Sequence, residues 1–337
     1  MPSRPTIIDV ARHAGVSKST VSRVLQGSSA AVKEETRQVV LDTIDAIGYE
    51  HNAIASSLRT DRTNMILLAI PDITNPFWPE VARGLQDAVE KAGYSVVFAN
   101  SDWDPQREDN FLRMARRNRF DALAINPTGV SVKTLLASRM PTVIIGLRND
   151  YPGFDMVGSD SYGGTLQALE HLYCLGHRRI GLIQGRQDRE RGYARYNGYV
   201  EFLKSHGLDL DPALIVVRPF DLAGGRQAAQ TLLALDHPPT AIFAANDILA
   251  IGAMQAAHEA GLHIPTDLSI MGMDDIYSAA TTMPALTTLA KAKYEIGRQA
   301  AVFLLDRLDN RGSVAPRRQE ISCQLIERGS TGPPNVK

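Results

Sequence analysis

Val16 to Leu25 reads VSKSTVSRVL. Its apolar residues are Val16, Val21, Val24 and Leu25, and the rest are hydroxyls plus Lys18 and Arg23. Spacings of three and four place Val21, Val24 and Leu25 on one face of a short helix that Ser17 can cap and Lys18 begins. The other face is polar and basic. Such a face suits bulk water, or the phosphates and base edges of a nucleic acid. The flanking sequence decides between them.

Upstream, TIIDVARHAG puts Ile7, Val10, Ala11 and Ala14 on one helical face. Thr6 is a good N-cap, Asp9 gives the capping box its acid, and Gly15 stops the helix. Downstream, Val32 to Ile47 predicts a third helix, with Val32, Thr36, Val39, Val40, Thr43, Ile44 and Ile47 inward and Gly48 at its end. Residues 1–49 thus read as all-α, with a tight turn between the first two helices. Charge is skewed along this stretch. Residues 1–33 carry Arg4, Arg12, Lys18, Arg23 and Lys33 against Asp9 alone, five cations less one anion, a net of +4. Residues 34–62 carry three basic and six acidic residues, a net of -3. The whole chain has a formal charge of -1, so the basic residues are concentrated where phosphate contacts would profit.

Residues 50–62, EHNAIASSLRTDR, have little to bury. A helix from Ala53 to about Thr60 is marginal by itself, since isolated helices below ~12 residues rarely hold in water. The stretch reads as a linker that becomes helical when something binds it.

From residue 63 strand-like and helical runs alternate. MILLAI precedes a helix from Phe77 to Lys91, SVVFA precedes Pro105 to Arg117, and DALAI, TVIIG and DMVG follow. The cycle resumes with Ser161–Leu175, RIGLI, Arg189–Ser205, LIVV, Gly224–Leu235, TAIFAA, Asp247–Ala260 and LSIMGM. A last helix, Tyr294 to Leu308, and one strand, RQEISCQLI, close the structure. With about ten strand runs, two doubly wound parallel sheets fit this α/β pattern better than one.

Ligands of such sheets bind beyond the carboxyl ends of the strands. The residues in those places are Phe77 and Trp78, Asp102, Arg189 to Arg195, Asn246 and Asp247, and Asp274. Rings, carboxylates, an amide and guanidinium groups suit a small polar ligand such as a sugar. Several of these positions also open helices. Asp247 in particular reads as a cap, and Phe77 and Trp78 fit a core equally well.

Other classes are disfavoured. GLIQGRQDRERG lacks both GxGxxG and GxxxxGK[ST], and no GxSxG elbow occurs. His171, Cys174 and His177 straddle a helix end at Gly176 and read as structural rather than as metal ligands. Asp274 and Asp275 are adjacent on an extended chain and point to opposite sides, which makes a poor catalytic dyad. No catalytic constellation, metal or cofactor is therefore expected. The two cysteines imply no disulfide framework. No apolar run approaches the ~20 residues of a membrane span, and no secretion signal is legible, so the expected location is the cytoplasm.

TIIDVARHAGVSKSTVSRVL, GYEHNAIASSLR, TNPFW, GHRRIGLIQG, FAANDILAIGAM, IPTDLSIMGMDD and PALTTL together resemble the lactose-repressor/galactose-repressor (LacI/GalR) family of bacterial transcription factors. The resemblance runs from about Thr6 to Arg328. It implies a helix-turn-helix headpiece over 1–49, a hinge over 50–62 and a two-lobed core over 63–330. The first lobe would take residues 63–160 and 290–322, the second 161–289 and 323–330. In that family the helix matching Lys18–Leu25 enters the major groove. Lys18, Ser19 and Arg23 would face base edges, and Thr20 and Ser22 the backbone, with Thr6 and Ser17 in the same DNA-facing set. Arg23 is the best candidate for a bidentate contact to guanine. Asn52 to Arg59 would form the hinge helix in the minor groove, with Leu58 as the wedge between base steps.

In the core, Arg195 matches the family's ligand arginine, Asn246 its pocket amide and Asp274 its pocket aspartate. Arg189, Phe77, Trp78 and Phe220 fall where purine-responsive relatives hold their ligand. The implied protein is an effector-controlled regulator, a repressor, binding a palindromic operator in double-stranded DNA as a homodimer. Its effector would be a sugar or sugar derivative, or alternatively a nucleobase. A sugar-binding protein without DNA function is disfavoured by the N-terminal helices. This chain also departs from the family pattern. His51 replaces the usual hinge proline, Gly146-Leu147-Arg148 replaces a common Asp-Arg pair, and GSTGPPNVK carries no heptads for a tetramer-forming helix.

Overall fold

The computed structural model describes residues 5–25, 32–50, 62–185, 194–310 and 315–335. The chain divides into two compact units, Met1–Thr63 and Asn64–Lys337.

Among its described residues the first unit contains α1 (Ile7–His13), α2 (Lys18–Leu25) and α3 (Glu34–Ile47). The capping box of α1 is formed: the Thr6 amide and hydroxyl donate to Asp9 Oδ2 at 2.9 and 2.7 Å. Gly15 adopts φ +67, where glycine meets no Cβ penalty, and turns the chain into α2. Val10, Val21 and Val40, one from each helix, are fully buried and form the centre of this small core. Helix α3 starts at Glu34 rather than Val32. Lys33 is still extended at φ -60, ψ 144, and its carbonyl accepts the first helical bond, from Arg37. Val39 is 48% exposed, which corrects its inward placement. Val40, Leu41, Ile44 and Ile47 supply the packing face instead, and Val39 lies about 100° round the helix from Val40.

The second unit alternates strand and helix. Its first part contains β1 (Met65–Ile70), α4 (Phe77–Glu90), β2 (Ser95–Asn100), α5 (Pro105–Arg117), β3 (Ala122–Ile125), α6 (Val132–Ser138), β4 (Thr142–Ile145) and β5 (Asp155–Ser159). Its second contains α7 (Ser161–Cys174), β6 (Ile180–Gly185), α8 (Ala194–Ser205), β7 (Ile215–Arg218), α9 (Leu222–Leu233), β8 (Ala241–Ala244), α10 (Asp247–Glu259), β9 (Ser269–Asp274) and β10 (Thr287–Ala290). Then come α11 (Lys293–Asp309), β11 (Arg318–Ile321) and β12 (Gln324–Ile326). The strands form two six-stranded sheets, ordered β11-β5-β4-β3-β1-β2 and β12-β10-β9-β8-β6-β7. Both carry helices on their two faces, which is why runs such as Ile66–Ile70 and Ala241–Ala244 are apolar throughout rather than alternating.

RQEISCQLI is not one strand. Its first half pairs parallel with β5 in the first sheet, and its second half pairs antiparallel with β10 in the other. Ser322 and Cys323 between them make the crossing from lobe to lobe. The chain also crosses at Asp160 and at Lys291–Ala292. Helix α11 therefore follows a strand of the second lobe yet packs on α4 of the first. The two helices touch backbone to backbone: a Cβ on Gly84 would lie 1.9 Å from the Tyr294 carbonyl oxygen, and one on Gly297 1.9 Å from that of Val81.

The segment after Arg328 is packed onto the second lobe. Ser330 is fully buried, its carbonyl accepting from the Ile270 amide of β9 at 2.9 Å and its hydroxyl donating to the Ile270 carbonyl at 2.5 Å. Both His171 and His177 face this segment, through Thr331 at 3.0 Å and the Gly332 carbonyl at 2.9 Å. Burial lowers the pKa of each.

Candidate nucleic-acid face and ligand cleft

In α2, Val21 and Val24 are buried, whereas Lys18, Ser19 and Arg23 are exposed and Thr20 and Ser22 half-buried. Lys18 with Ser22, and Ser19 with Arg23, are four residues apart, so the polar residues form one stripe opposite the valines. The Ser17 hydroxyl organises the start of that stripe. It accepts from the Thr20 amide at 3.1 Å and lies 2.8 Å from the hydroxyls of both Ser19 and Thr20. Thr6 is exposed at the start of α1, where its side chain closes the capping box. The stripe offers hydroxyl donors and acceptors plus two cations, the chemistry that phosphates and base edges require. Asn52, Leu58 and Arg59 lie outside the described residues.

The second unit has a cleft of about 620 Å³ where the carboxyl ends of its two sheets meet. Phe77, Trp78, Arg195, Phe220, Asn246 and Asp274 all line it. Arg189 lies outside the described residues. Asp102 does not belong to the lining. It sits at φ +48, and its carboxylate turns back to accept from Asn100 and Arg107. The next residue, Trp103 at φ +61, enters the cleft instead. An aromatic just past a strand end was the available signal for it. Lys291, Asn126, Thr128, Arg148 and Ser159 also line the cleft and were missed. Ser159 ends β5, and the others sit in loops and crossovers that carry no periodic signal.

The helix starts fix the cleft walls. Asn246 caps α10, its side chain accepting from the Leu249 amide at 2.9 Å. Asp247 is therefore not the cap. It is fully buried, accepts from the Ile276 amide at 2.8 Å and from the Thr288 hydroxyl, and its pKa is pushed up to about 7 by burial and then by the charge of Asp274. Glu108, on α5 and also buried, accepts from the amides of Thr128, Gly129 and Val130 at 2.6, 2.8 and 2.8 Å. It thereby shapes the loop that presents Thr128.

At the base of the cleft, Asp274 Oδ1 lies 2.9 Å from Lys291 Nζ, with both side chains over nine-tenths buried. Asp274 adopts φ +124 and Asp275 φ +53, conformations that L residues seldom adopt. Lys293 braces them. Its ammonium donates to the carbonyls of Asp274 at 2.8 Å and Asp275 at 2.7 Å, and lies 3.4 Å from Glu80 of α4. The Asp275 carboxylate turns away to Arg328 at 2.6 Å, so the two aspartates diverge. Phe77 and Trp78 meet edge to face, 5.0 Å between centroids, with Lys291 5.5 Å from the Phe77 ring centre.

Two buried polar atoms in this lining, Thr128 Oγ1 and Ser159 Oγ, have no hydrogen-bond partner among the described residues, whereas Asp274 Oδ1 is held by Lys291. Buried polar atoms are nearly always paired, so these two hydroxyls are poised to serve a ligand. Elsewhere, His171, His177 and Cys174 hold different partners, Thr331, Gly332 and Glu170. Among the described residues, no group of three or more metal-ligating side chains could share an ion, and no helix is long and apolar enough to cross a membrane.

Residues 6–52 match the family of bacterial regulatory proteins, lacI family, and residues 169–331 match a periplasmic binding protein-like domain. The chain is 33% identical to the HTH-type transcriptional regulator DegA of Bacillus subtilis (strain 168), over 99% of this chain and 100% of DegA. It is 32% identical to the HTH-type transcriptional repressor PurR of Haemophilus influenzae (strain PittEE), over 96% of this chain and 98% of that one. The Lac repressor dimer bound to operator and the anti-inducer ONPF is similar in structure, with a TM-score of 0.87 at 25% identity, covering 98% of this chain and 100% of that one.

Proposed function

The chain belongs to the lacI family of bacterial regulatory proteins, and from that premise we propose that it is a repressor controlled by a sugar or sugar derivative. It binds a palindromic operator as a homodimer, each headpiece presenting the α2 stripe to one half-site. The effector sits between the lobes of the core. The observation that carries this reading is the set of polar groups that line the cleft from both lobes: Thr128 Oγ1 and Ser159 Oγ of the first, without a partner among the described residues, and the Asp274 carboxylate of the second, held by Lys291. A polyol has hydroxyls for all three, and its apolar face suits the Phe77 and Trp78 rings. A ligand touching both lobes favours one arrangement of them, and so changes the operator affinity by the same factor as the operator changes its own.

The test uses the full chain. An operator duplex is selected from random DNA, and its affinity is then measured with D-ribose, D-glucose, cellobiose, glucose 6-phosphate, hypoxanthine and guanine. A sugar should shift operator affinity in the parent chain but not in Asp274→Ala, which should still bind the duplex. A shift by a nucleobase alone would replace the sugar reading. A chain that selects no duplex would refute the repressor.

A further inference from the structure

Trp103 and Phe220 come from opposite lobes, Trp103 from the loop after β2 and Phe220 from the loop after β7. Their rings nonetheless lie nearly parallel, with centroids 5.7 Å apart and planes 17° from each other. Both rings line the cleft, and both are half-buried.

Each ring is held from behind. Phe220 rests on Gly185, where a Cβ would lie 1.8 Å from the ring, so only glycine leaves it that seat. Trp103 is presented by two successive left-handed residues, Asp102 and Trp103 itself. The Asp102 carboxylate secures that turn through Asn100 and Arg107. Asn100 Oδ1 in turn accepts from the Ile73 amide at 2.9 Å, fixing the loop that leads to Phe77. Non-glycine residues at positive φ persist only where their surroundings overdetermine them, and such strain clusters at ligand clamps and switches. A stacked aromatic pair is a contact between lobes that no covalent crossover supplies.

We propose that Trp103 and Phe220 form an aromatic gate, closing the cleft when stacked and parting to admit a ligand. Trp103 is then the gating residue, and Gly185 the device that sets its partner. The gate rests on the reading of the cleft as a ligand site, but its test uses no ligand.

The chain has two tryptophans, Trp78 and Trp103. Any substitution of Trp103 leaves Trp78, buried in the wall of the same cleft, as the sole indole reporter. Acrylamide quenching of Trp78 in the full chain therefore reads how often the cleft opens. Trp103→Phe keeps a ring in place and should leave Trp78 protected. Trp103→Ala removes one half of the gate, and Phe220→Ala in the Trp103→Phe background removes the other. Each should raise the Trp78 quenching constant about threefold or more, since losing an aromatic pair shifts the open population by that order. Removing both halves should add little, as for any pair acting as a unit. Equal quenching in all variants would overturn the gate. So would a rise in Trp103→Ala alone, which would trace to the loop around Asp102. The effector screen can fail while this gate stands, and the reverse also holds.

Discussion

Lys291 reaches Asp274 at the base of the cleft, Nζ to Oδ1 2.9 Å, with side-chain exposures of 6% and 5%. Neither charge has water to fall back on, so each depends on the other. Lys291→Met should destabilise the core by about 3 kcal/mol in urea unfolding, because it strands a buried carboxylate. Lys291→Met with Asp274→Leu should recover most of that loss, because two apolar groups need no partner. A single substitution that costs no more than the double would show that the pair is not the relevant unit.

Asp247 gives the core a pH dependence with a definite sign. Its pKa is raised from 3.8 to about 7, first by burial and then by Asp274. Between about 3.8 and about 7 the unfolded chain releases this proton while the folded chain keeps it. The folded state then binds more protons, so stability falls as pH rises through that window and levels off above it. Asp247→Asn should remove this contribution. Its amide can donate to the Thr288 hydroxyl while its carbonyl accepts from Ile276. The difference in unfolding free energy between parent and variant should change by up to about 1.4 kcal/mol per pH unit inside the window. A difference flat from pH 4 to 7 would contradict the raised pKa.

Much of this architecture is legible in the chain because it rests on local periodicity. Val21 and Val24 in α2, Thr6 with Asp9 at α1, and the apolar strands each announce themselves. What escapes is set by contacts far apart in sequence. RQEISCQLI has the composition of a single strand, and only the position of two sheets divides it at Ser322 and Cys323. Asp102 occupies the expected place after a strand, yet Arg107 and Asn100 claim its carboxylate and send Trp103 into the cleft. Lys291 and Lys293 look like solvated charges in AKAKYE. Their burial follows from a crossover that brings them under Asp274. Six of the ligand residues read from sequence do share one cleft, because strand ends are where such sheets leave room.

The crossing of α4 and α11 should be intolerant of a single methyl group. Gly84 and Gly297 each face the other helix's backbone, at 1.9 Å from a carbonyl oxygen for an added Cβ. Backbone cannot move aside as a flexible side chain does, so the helices must separate. Gly84→Ala should cost about 1–3 kcal/mol or more despite alanine's better helix propensity. Gly207→Ala is a contrast, since its Cβ meets nothing within 4 Å and only the strain of φ +65 opposes it. If Gly84→Ala is the milder of the two, the close crossing is wrong.

Arg23 and Lys18 stand on the same exposed stripe of α2 and should fail in different ways. Neither supports the headpiece core, which Val10, Val21 and Val40 carry, so alanine at either position should leave its melting nearly unchanged. Arg23 has a planar fork suited to guanine O6 and N7. Arg23→Ala should cost about 1–3 kcal/mol on the selected duplex and flatten the preference at one base pair in each half-site. Lys18 can approach a base edge as a flexible point charge, without the fork. Lys18→Ala should weaken selected and unrelated duplexes more nearly alike, and lower the slope of log affinity against log salt by about one per site if it neutralises a phosphate. Fluorescence anisotropy on both duplexes across a salt series separates the two outcomes. If Arg23→Ala weakens every duplex equally while Lys18→Ala alters base preference, the two roles are exchanged. If neither changes binding, the α2 stripe is not the reading face.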